Sequence, residues 1–232
     1  TLEHWVKKWM PASMKMFFSP LIVVTVTVTL GYLVIGPIAT LITNLLGEFF
    51  ALLFGLPMIG SLLGCTLVGA FWMCLVIFGF HWSLVPIALV NHLGHDYILG
   101  SVIAHSFSLG AVLFAMYLKN KDEKFRGIAL PAMISAFFFG VTEPAIYGVA
   151  LPDKKAFINA SIGSAVGGLI IGLSGAVVYM SGGLGVFNWL SFIDPSGVNG
   201  INHMIWAIVA SFVGAAVGFA IEFATYKPEA AK

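Results

Sequence analysis

Charged side chains are scarce in this sequence, and their scarcity indicates the class of protein. Only 9% of the 232 residues are Asp, Glu, Lys or Arg, while 59% are hydrophobic. A soluble globular domain carries about 25% charged residues. The net charge is +1 and there is a single arginine, which argues against nucleic acid as a partner. The composition therefore predicts an integral membrane protein.

Several catalytic signatures are also missing. The sequence contains no GxxxxGK[ST] phosphate loop, so we do not expect the chain itself to use ATP. It contains no GxSxG nucleophile elbow. Cys65 and Cys74 lie within an apolar run and not in a charged loop, where a phosphate-carrying thiolate would need to be. They are expected to be small buried residues, and we expect neither a cofactor nor a metal.

Long apolar runs predict an all-α protein, a bundle of transmembrane helices. About 20 residues at a rise of 1.5 Å span roughly 30 Å, the thickness of the hydrocarbon core. The segment 38–55 is interrupted by Asn44 and Glu48, so it is either a span or an interfacial helix. Basic residues at both ends of 1–118 require an even number of crossings, and the sequence leaves that number open. The apolar runs cover residues 20–37, 38–55, 60–80, 98–118, 158–180 and 201–226.

Residues 1–18 differ from these runs because they are amphipathic. Trp5 and Trp9 recur at helical spacing, and Lys7 and Lys8 occupy the other face. Tryptophan at headgroup level and lysine towards anionic lipid are typical of a helix lying in the membrane interface. We predict an amphipathic interfacial helix over 1–18.

One carboxylate lies between apolar runs that reach deep into a bilayer. It belongs to the stretch FFFGVTEPAIYG at 137–148, where Pro144 follows Glu143. Proline supplies no N–H and disfavours helical geometry in the residue before it, while Gly140 and Gly148 tolerate unusual backbone angles. The stretch therefore predicts two half-helices that meet at a non-helical tip carrying Thr142 and Glu143. Unwound backbone survives in a membrane only where it lines a cavity or is buried in protein.

Lysine placement indicates how this broken segment is threaded. Lysines cluster at 119–126, at Lys154 and Lys155, and at Lys227, and the positive-inside rule places all of them on the cytoplasmic side. The arm before the tip has only about 15 residues, too few for a complete crossing. We therefore predict a re-entrant hairpin over 127–151.

Two stretches carry a resemblance to a known family. GVTEPAIYGV at 140–149 resembles the signature of the membrane-spanning C domain (EIIC) of sugar phosphotransferase enzyme II proteins, glucose superfamily. FGFHWSLVPI at 78–87 is similar to the β-glucoside branch. The resemblance implies that 19–232 is the C-terminal, transport and substrate-binding part of such a domain. The family's first helices, and the B domain that carries its phosphorylated cysteine, are not in this sequence.

Residue roles follow from the resemblance. The family glutamate matching Glu143 contacts the sugar and is suspected of assisting phosphoryl transfer. The family histidine matching His81 is implicated in sugar binding and in phosphoryl transfer. Thr142 and Asn91 match the pattern of the substrate site. Trp82 is either a stacking surface for a pyranose or part of an aromatic belt. From chemistry alone, a carboxylate at Glu143 could accept bonds from two adjacent sugar hydroxyls or could only lock the hairpin by binding local N–H groups.

His92 and His95 are three residues apart and followed by Asp96, so a helix could present them as two metal ligands. Gly94 lies between them, and the sequence has no HExxH pattern. We predict a solvated turn and no metal site, and a metalloenzyme is the weakest alternative.

The function implied by the resemblance is phosphoenolpyruvate-dependent uptake of a β-glucoside with concomitant phosphorylation in a bacterial cytoplasmic membrane. A sucrose- or trehalose-type permease is the nearest alternative. A proton-coupled sugar transporter and a membrane sugar sensor are alternatives of other classes. The implied partners are the sugar, a phosphorylated EIIB domain with EIIA, HPr and enzyme I upstream, the lipid bilayer, and a second copy bound through helices before Thr1.

Overall fold

A computed structural model describes residues 1–12, 14–82, 84–85, 96–180 and 182–228. The chain divides into two compact units, Thr1–Glu48 and Phe49–Lys232. Across the described ranges the structure is helical and contains no β-strand, only an isolated bridge between Asp96 and Val178. The predicted all-α fold is confirmed.

The first unit begins with two helices that pack against each other. Helix α1 spans Leu2–Trp9 and α2 spans Lys15–Leu30, and the two helices contact each other. Val6 of α1 is buried, while the tryptophan rings of α1 remain exposed and meet edge to face with centroids 5.9 Å apart. The interfacial placement of 1–18 stays a prediction.

Helix α2 continues without a break into α3. A wide π turn at Gly31–Ile35 joins α2 to α3, which spans Gly36–Phe54, so that Lys15–Phe54 forms one apolar helical stretch of 40 residues. The sequence analysis divided this stretch into the runs 20–37 and 38–55. Pro37 is the second residue of α3, where its missing N–H costs little because the π turn just before has already interrupted the regular hydrogen-bond ladder. At 1.5 Å per residue the stretch is about 60 Å long, twice the hydrocarbon thickness of a bilayer.

The second unit is built around one enclosed helix. Helix α5 packs against α4, α8 and α9, and most of its side chains are buried. Phe107 of α5, Phe192 and Ile171 belong to the hydrophobic core at this junction. The elements of this unit are α4 (Gly60–Ile77), α5 (Tyr97–Lys119), α6 (Glu123–Ile134), α7 (Glu143–Ala145), α8 (Lys154–Ser174), a 3-10 helix (Gly185–Phe192) and α9 (Asn202–Thr225).

In the described part of the chain, five helical stretches are long and apolar enough to cross a membrane. Four of them are α4, α5, α8 and α9, and the fifth is the continuous stretch Lys15–Phe54. The apolar runs of the sequence predicted these elements to within a few residues at most ends.

Glycines of α8 allow its neighbours to approach closely. A Cβ added at Gly167 would collide with the Cβ of Ala104 on α5, and one added at Gly168 would collide with the carbonyl oxygen of Cys65 on α4. Small residues of this kind let helix backbones pack together where no hydrophobic effect drives association. Helix α8 is therefore in direct backbone contact with α4.

Polar contacts tie three helices together at one end of this unit. The Asn159 side chain donates to Glu222 Oε2 over 2.7 Å, and the Glu222 side chain is fully buried. Lys119, the last residue of α5, donates to the carbonyl oxygens of Phe223 over 2.6 Å and of Tyr226 over 2.7 Å. We call this group of five residues the Lys119–Glu222 cluster. It joins the C-terminal ends of α5 and α9 to the first half of α8.

The close contact of α8 with α4 generates a stability prediction. Gly168→Ala forces a methyl group into the backbone of α4, and overpacking of this kind costs about 1–3 kcal/mol. Gly127→Ala is the matched control, because a Cβ at Gly127 on α6 meets nothing within 4 Å and alanine favours a helix. We expect thermal unfolding in detergent to show a lower midpoint for Gly168→Ala and an unchanged or higher midpoint for Gly127→Ala. Equal midpoints would contradict the packing described.

Candidate functional site

The helix that begins with α6 is interrupted before Glu143. A π turn at Ser135–Phe139 follows α6 and ends at Gly140, whose φ of 64° is left-handed and favours glycine. The Ser135 hydroxyl donates to the Val141 carbonyl over 2.9 Å, and the Val141 N–H donates to the Ser135 carbonyl over 3.2 Å. Helix α7 then starts at Glu143. Residues 140–142 are thus a non-helical tip, as predicted for Thr142, whereas Glu143, also predicted to lie in the tip, is the first residue of α7 because Pro144 is tolerated in the first turn of a helix.

The two arms on either side of the tip lie side by side. The π turn at Ile146–Ala150 after α7 contacts α6, so the chain reverses direction at the tip. This is the geometry of a helical hairpin. Its re-entrant course through a membrane over 127–151 stays a prediction.

The tip rests on a second non-helical segment, residues 182–184, and on Gly185, the first residue of the 3-10 helix. Gly185 has a φ of 58°, and a Cβ placed on it would lie 2.5 Å from the Phe138 carbonyl oxygen and 2.7 Å from the Gly140 nitrogen. Only glycine permits this contact, because any side chain would push the two backbones apart. The pair Gly140 and Gly185 therefore joins the hairpin tip to a loop more than 40 residues further along the chain.

A loop after the 3-10 helix is fixed by Asp194. Its carboxylate accepts bonds from the Ser196 hydroxyl over 2.6 Å, the Ser196 N–H over 2.8 Å and the Asn199 N–H over 2.8 Å. These bonds, led by the Ser196 hydroxyl, lower the pKa of Asp194 to about 2. The carboxylate therefore stays ionised at physiological pH and holds the turn that leads into α9.

A cavity of about 450 Å³ opens where these elements meet. Its size falls within the range of about 300–1,000 Å³ that is usual for small-molecule sites. Four parts of the second unit form its walls: α4 with the residues just after it, the first half of α5, the hairpin tip, and residues 178–188. The polar side chains that line it are His81, His105, Ser106, Thr142, Glu143 and Asn188, and the remaining walls are apolar side chains and glycines.

Four of the five residues predicted for the substrate site line this cavity. They are Thr142 at the hairpin tip, Glu143 at the start of α7, and His81 and Trp82 just beyond α4. Asn91 lies outside the described residues, as do His92 and His95. The structure brings the two motifs of the sequence together although about 60 residues separate them. Their roles in binding a ligand stay predictions.

Aromatic rings surround His81. Its imidazole lies edge-on to the Trp72 ring, with centroids 5.9 Å apart, and 5.7 Å from the ring centroid of Trp82. Trp72 is buried, whereas Trp82 is 70% exposed. His81 Nδ1 is buried and has no hydrogen-bond partner among the residues that the structure describes. The imidazole is thus packed on its sides while a ring nitrogen is left for other contacts.

The Glu143 carboxylate does not hold the hairpin together. No described residue donates a hydrogen bond to it, and the tip is fixed by Ser135 and by the contact with Gly185. The Glu143 side chain is exposed on the cavity wall, while Thr142 beside it is buried. The geometry therefore does not support the alternative in which Glu143 only locks the local backbone, and its role towards a ligand stays a prediction.

Sequence reasoning missed three polar residues of the cavity: His105, Ser106 and Asn188. His105 could have been found, since it is an ionisable residue in the middle of an apolar run, the same signal that singled out Glu143. Ser106 and Asn188 carry no such signal. Asn188 reaches the cavity only because Gly140 and Gly185 bring its loop against the hairpin tip.

The cavity suits a neutral, amphipathic small molecule. Its polar groups can donate to or accept from hydroxyls, while its tryptophan rings and aliphatic walls can cover C–H surfaces. In the described ranges no group of three His, Cys, Asp or Glu side chains converges as a metal site would require.

Comparison with known families shows to which family the chain belongs. The family model described as "Phosphotransferase system, EIIC" matches residues 1–164. The chain belongs to this family. It is a multi-pass membrane protein, consistent with its apolar helices. No solved structure matches this EIIC chain.

Curated relatives carry similar sequences. A "PTS system beta-glucoside-specific EIIBCA component" of Halalkalibacterium halodurans is 43% identical over 90% of this chain and 32% of its own length. A protein of the same name from Dickeya chrysanthemi is 36% identical over 94% of this chain and 33% of its own. The "arbutin-, cellobiose-, and salicin-specific EIIBC component" of Escherichia coli is 31% identical over 91% of this chain and 44% of its own. This EIIC chain thus spans a third to less than half of these relatives.

The glycine contact under the hairpin tip can be tested by labelling. In a chain with Cys65→Ala, Cys74→Ala and Thr142→Cys, the buried thiol at position 142 should react slowly with a water-soluble maleimide. Adding Gly185→Ala should raise the rate several-fold, because the new methyl group separates the tip from its loop. Gly197→Ala is the matched control: Gly197 also has a positive φ, 78°, but a Cβ there meets nothing within 4 Å. The same rate in both variants would show that the contact does not cover the tip.

Proposed function

We propose that this EIIC chain binds and translocates a β-glucoside in a phosphoenolpyruvate-dependent phosphotransferase system and presents the sugar for phosphorylation. One observation carries the proposal: Glu143 and Thr142 from one motif, and His81 and Trp82 from another, line a single cavity in a chain of the EIIC family. The names of the relatives from Halalkalibacterium halodurans and Dickeya chrysanthemi support the sugar class.

The binding step follows from the chemistry of the lining. The Glu143 carboxylate accepts hydrogen bonds from two adjacent hydroxyls of the sugar. These hydrogen bonds are stronger than bonds between neutral groups because the acceptor is charged. His81 offers a ring nitrogen to a further hydroxyl, and the exposed Trp82 ring stacks on the C–H face of the pyranose. The apolar residues of α4 and α5 at the cavity, such as Val76 and Val102, contact the aglycone.

The transfer step uses a proton acceptor in the same cavity. The phosphoryl group arrives on a cysteine of an EIIB domain; its S–P bond breaks as a sugar oxygen forms the new P–O bond, and the cysteine leaves as a thiolate. The proton of the reacting hydroxyl passes to Glu143 or His81, which act as general base. Neither Cys65 nor Cys74 takes part, since both lie within α4.

We also propose a topology and partners for this function. Residues 1–18 lie in the membrane interface, and the hairpin 127–151 enters and leaves on the cytoplasmic side, so that the lysines at 119–126, Lys154 and Lys155 face an EIIB domain. The partner follows from relatives named EIIBCA and EIIBC. EIIA, HPr and enzyme I supply the phosphate upstream. Two copies associate in the bacterial cytoplasmic membrane through helices that precede this sequence.

The decisive experiment uses the full-length protein with its EIIB domain in membrane vesicles. Glu143→Gln should weaken binding of salicin or cellobiose about 10- to 100-fold, because a hydrogen bond to a charged group contributes about 1.5–3 kcal/mol. His81→Ala should also weaken binding. Glu123→Gln is the matched control, since Glu123 is exposed on α6 outside the cavity. Binding is measured by calorimetry, and the phosphorylated product by phosphoenolpyruvate-dependent labelling.

Each alternative has its own outcome in this assay. Unchanged affinity in both Glu143→Gln and His81→Ala would remove this site. Tighter binding of sucrose or trehalose than of salicin would change the sugar class. Uptake that stops with an uncoupler and yields no sugar phosphate would indicate a proton-coupled transporter, and binding without uptake would indicate a sensor.

A further inference from the structure

His105 is buried in the middle of α5, where an apolar residue would be expected. Its side chain is 2% exposed, and neither Nδ1 nor Nε2 has a hydrogen-bond partner among the residues that the structure describes. A buried polar group without a partner costs about 1–3 kcal/mol, and an imidazole has two such atoms. An apolar side chain of similar size would avoid that cost. The position therefore calls for a partner that the described residues do not supply.

His105 faces the cavity, which is where such a partner would enter. Leu99, Val102, Ile103 and Ser106 of the same helix also line it, at spacings that follow one face of α5. The Ser106 hydroxyl donates to the Ile103 carbonyl over 3.4 Å, so its proton is already engaged within the helix. His105 is thus the polar group of this wall with both of its hydrogen-bonding atoms left for a ligand.

His81 and His105 line the same cavity from two different helical elements. The site assigned to the sugar therefore continues along α5 beyond the two motifs that define it in the sequence. Glu143 accepts hydrogen bonds only, because an ionised carboxylate has no proton to donate. A neutral imidazole supplies both a donor and an acceptor, as a sugar hydroxyl does.

We infer that His105 hydrogen-bonds a hydroxyl of the bound glycoside directly and helps to determine which sugar the cavity accepts. The inference rests on the proposed function and adds a residue to its site. A site built to bond a particular hydroxyl discriminates strongly against the analogue that lacks it, because its buried polar atoms are then left without a partner. His105 should therefore impose selectivity at one position of the sugar ring.

The test is a double-mutant cycle between the protein and the ligand, in the full-length protein with its EIIB domain. Wild type and His105→Phe are titrated with salicin and with each of its monodeoxy analogues. We expect His105→Phe to bind salicin about tenfold more weakly, the loss of a typical buried hydrogen bond. For one deoxy analogue, the affinity of wild type should be about tenfold lower than its affinity for salicin. The variant should bind that analogue and salicin equally well. His105→Gln, whose amide keeps a donor and an acceptor, should recover part of the affinity.

Ser101→Ala provides the control on the same helix. Ser101 is fully buried and donates to the Ile98 carbonyl over 2.7 Å, but it does not line the cavity. This variant should bind salicin and all of its deoxy analogues as wild type does.

Three results would separate the possible explanations. If His105→Phe weakens the binding of every analogue by the same factor as the binding of salicin, His105 acts on the structure or on bound water, and the inference is wrong. Should His105→Phe not fold, the His105→Gln pattern decides: unchanged discrimination at every hydroxyl overturns the inference. Wild type that binds no glycoside would instead overturn the proposed function, a result independent of any His105 variant.

Discussion

Backbone that leaves a helix inside a membrane must be covered, because lipid offers its N–H and C=O groups no hydrogen bonds. Two non-helical segments meet here, the hairpin tip at 140–142 and residues 182–184 just before Gly185 and the 3-10 helix, and they cover each other. Contact at Gly140 and Gly185 is so close that neither position has room for a Cβ. The cavity lies where these segments meet α4 and α5. Its existence therefore depends on two glycines that themselves offer a ligand no side chain.

The distribution of polar groups around the cavity follows from the same constraint. Within the hairpin, Ser135 and the backbone satisfy the tip, which leaves the Glu143 carboxylate without an internal role. On α5 the Ser106 hydroxyl is satisfied by its own helix, whereas His105 is not. A membrane protein tolerates such groups only where water or a ligand reaches them. At the cavity, His81 Nδ1 and both ring nitrogens of His105 are left without a hydrogen-bond partner among the described residues.

Much of this arrangement could be predicted from local sequence. Apolar runs predicted α4, α5, α8 and α9, and Pro144 with Gly140 predicted the break in the helix, although Glu143, expected in the non-helical tip, begins α7. The continuity of Lys15–Phe54 could not be predicted, since a proline usually ends a helix and the π turn that accommodates Pro37 has no recognisable sequence pattern. His81 entered through a family resemblance, because a lone histidine beside a tryptophan says little by itself. Asn188 depends on a tertiary contact between distant segments, which no local pattern encodes.

The Lys119–Glu222 cluster has a consequence for how the second unit can deform. His105 and Lys119 lie 14 residues apart on α5, which places the cluster about 21 Å along the helix from the cavity. At the cluster, side chains of α5 and α8 are bonded to α9, while α8 approaches α5 and α4 through apolar contacts at Gly167 and Gly168. Apolar surfaces slide more readily than charged hydrogen bonds break. The three helices are therefore expected to move least relative to one another at the cluster and more towards the cavity.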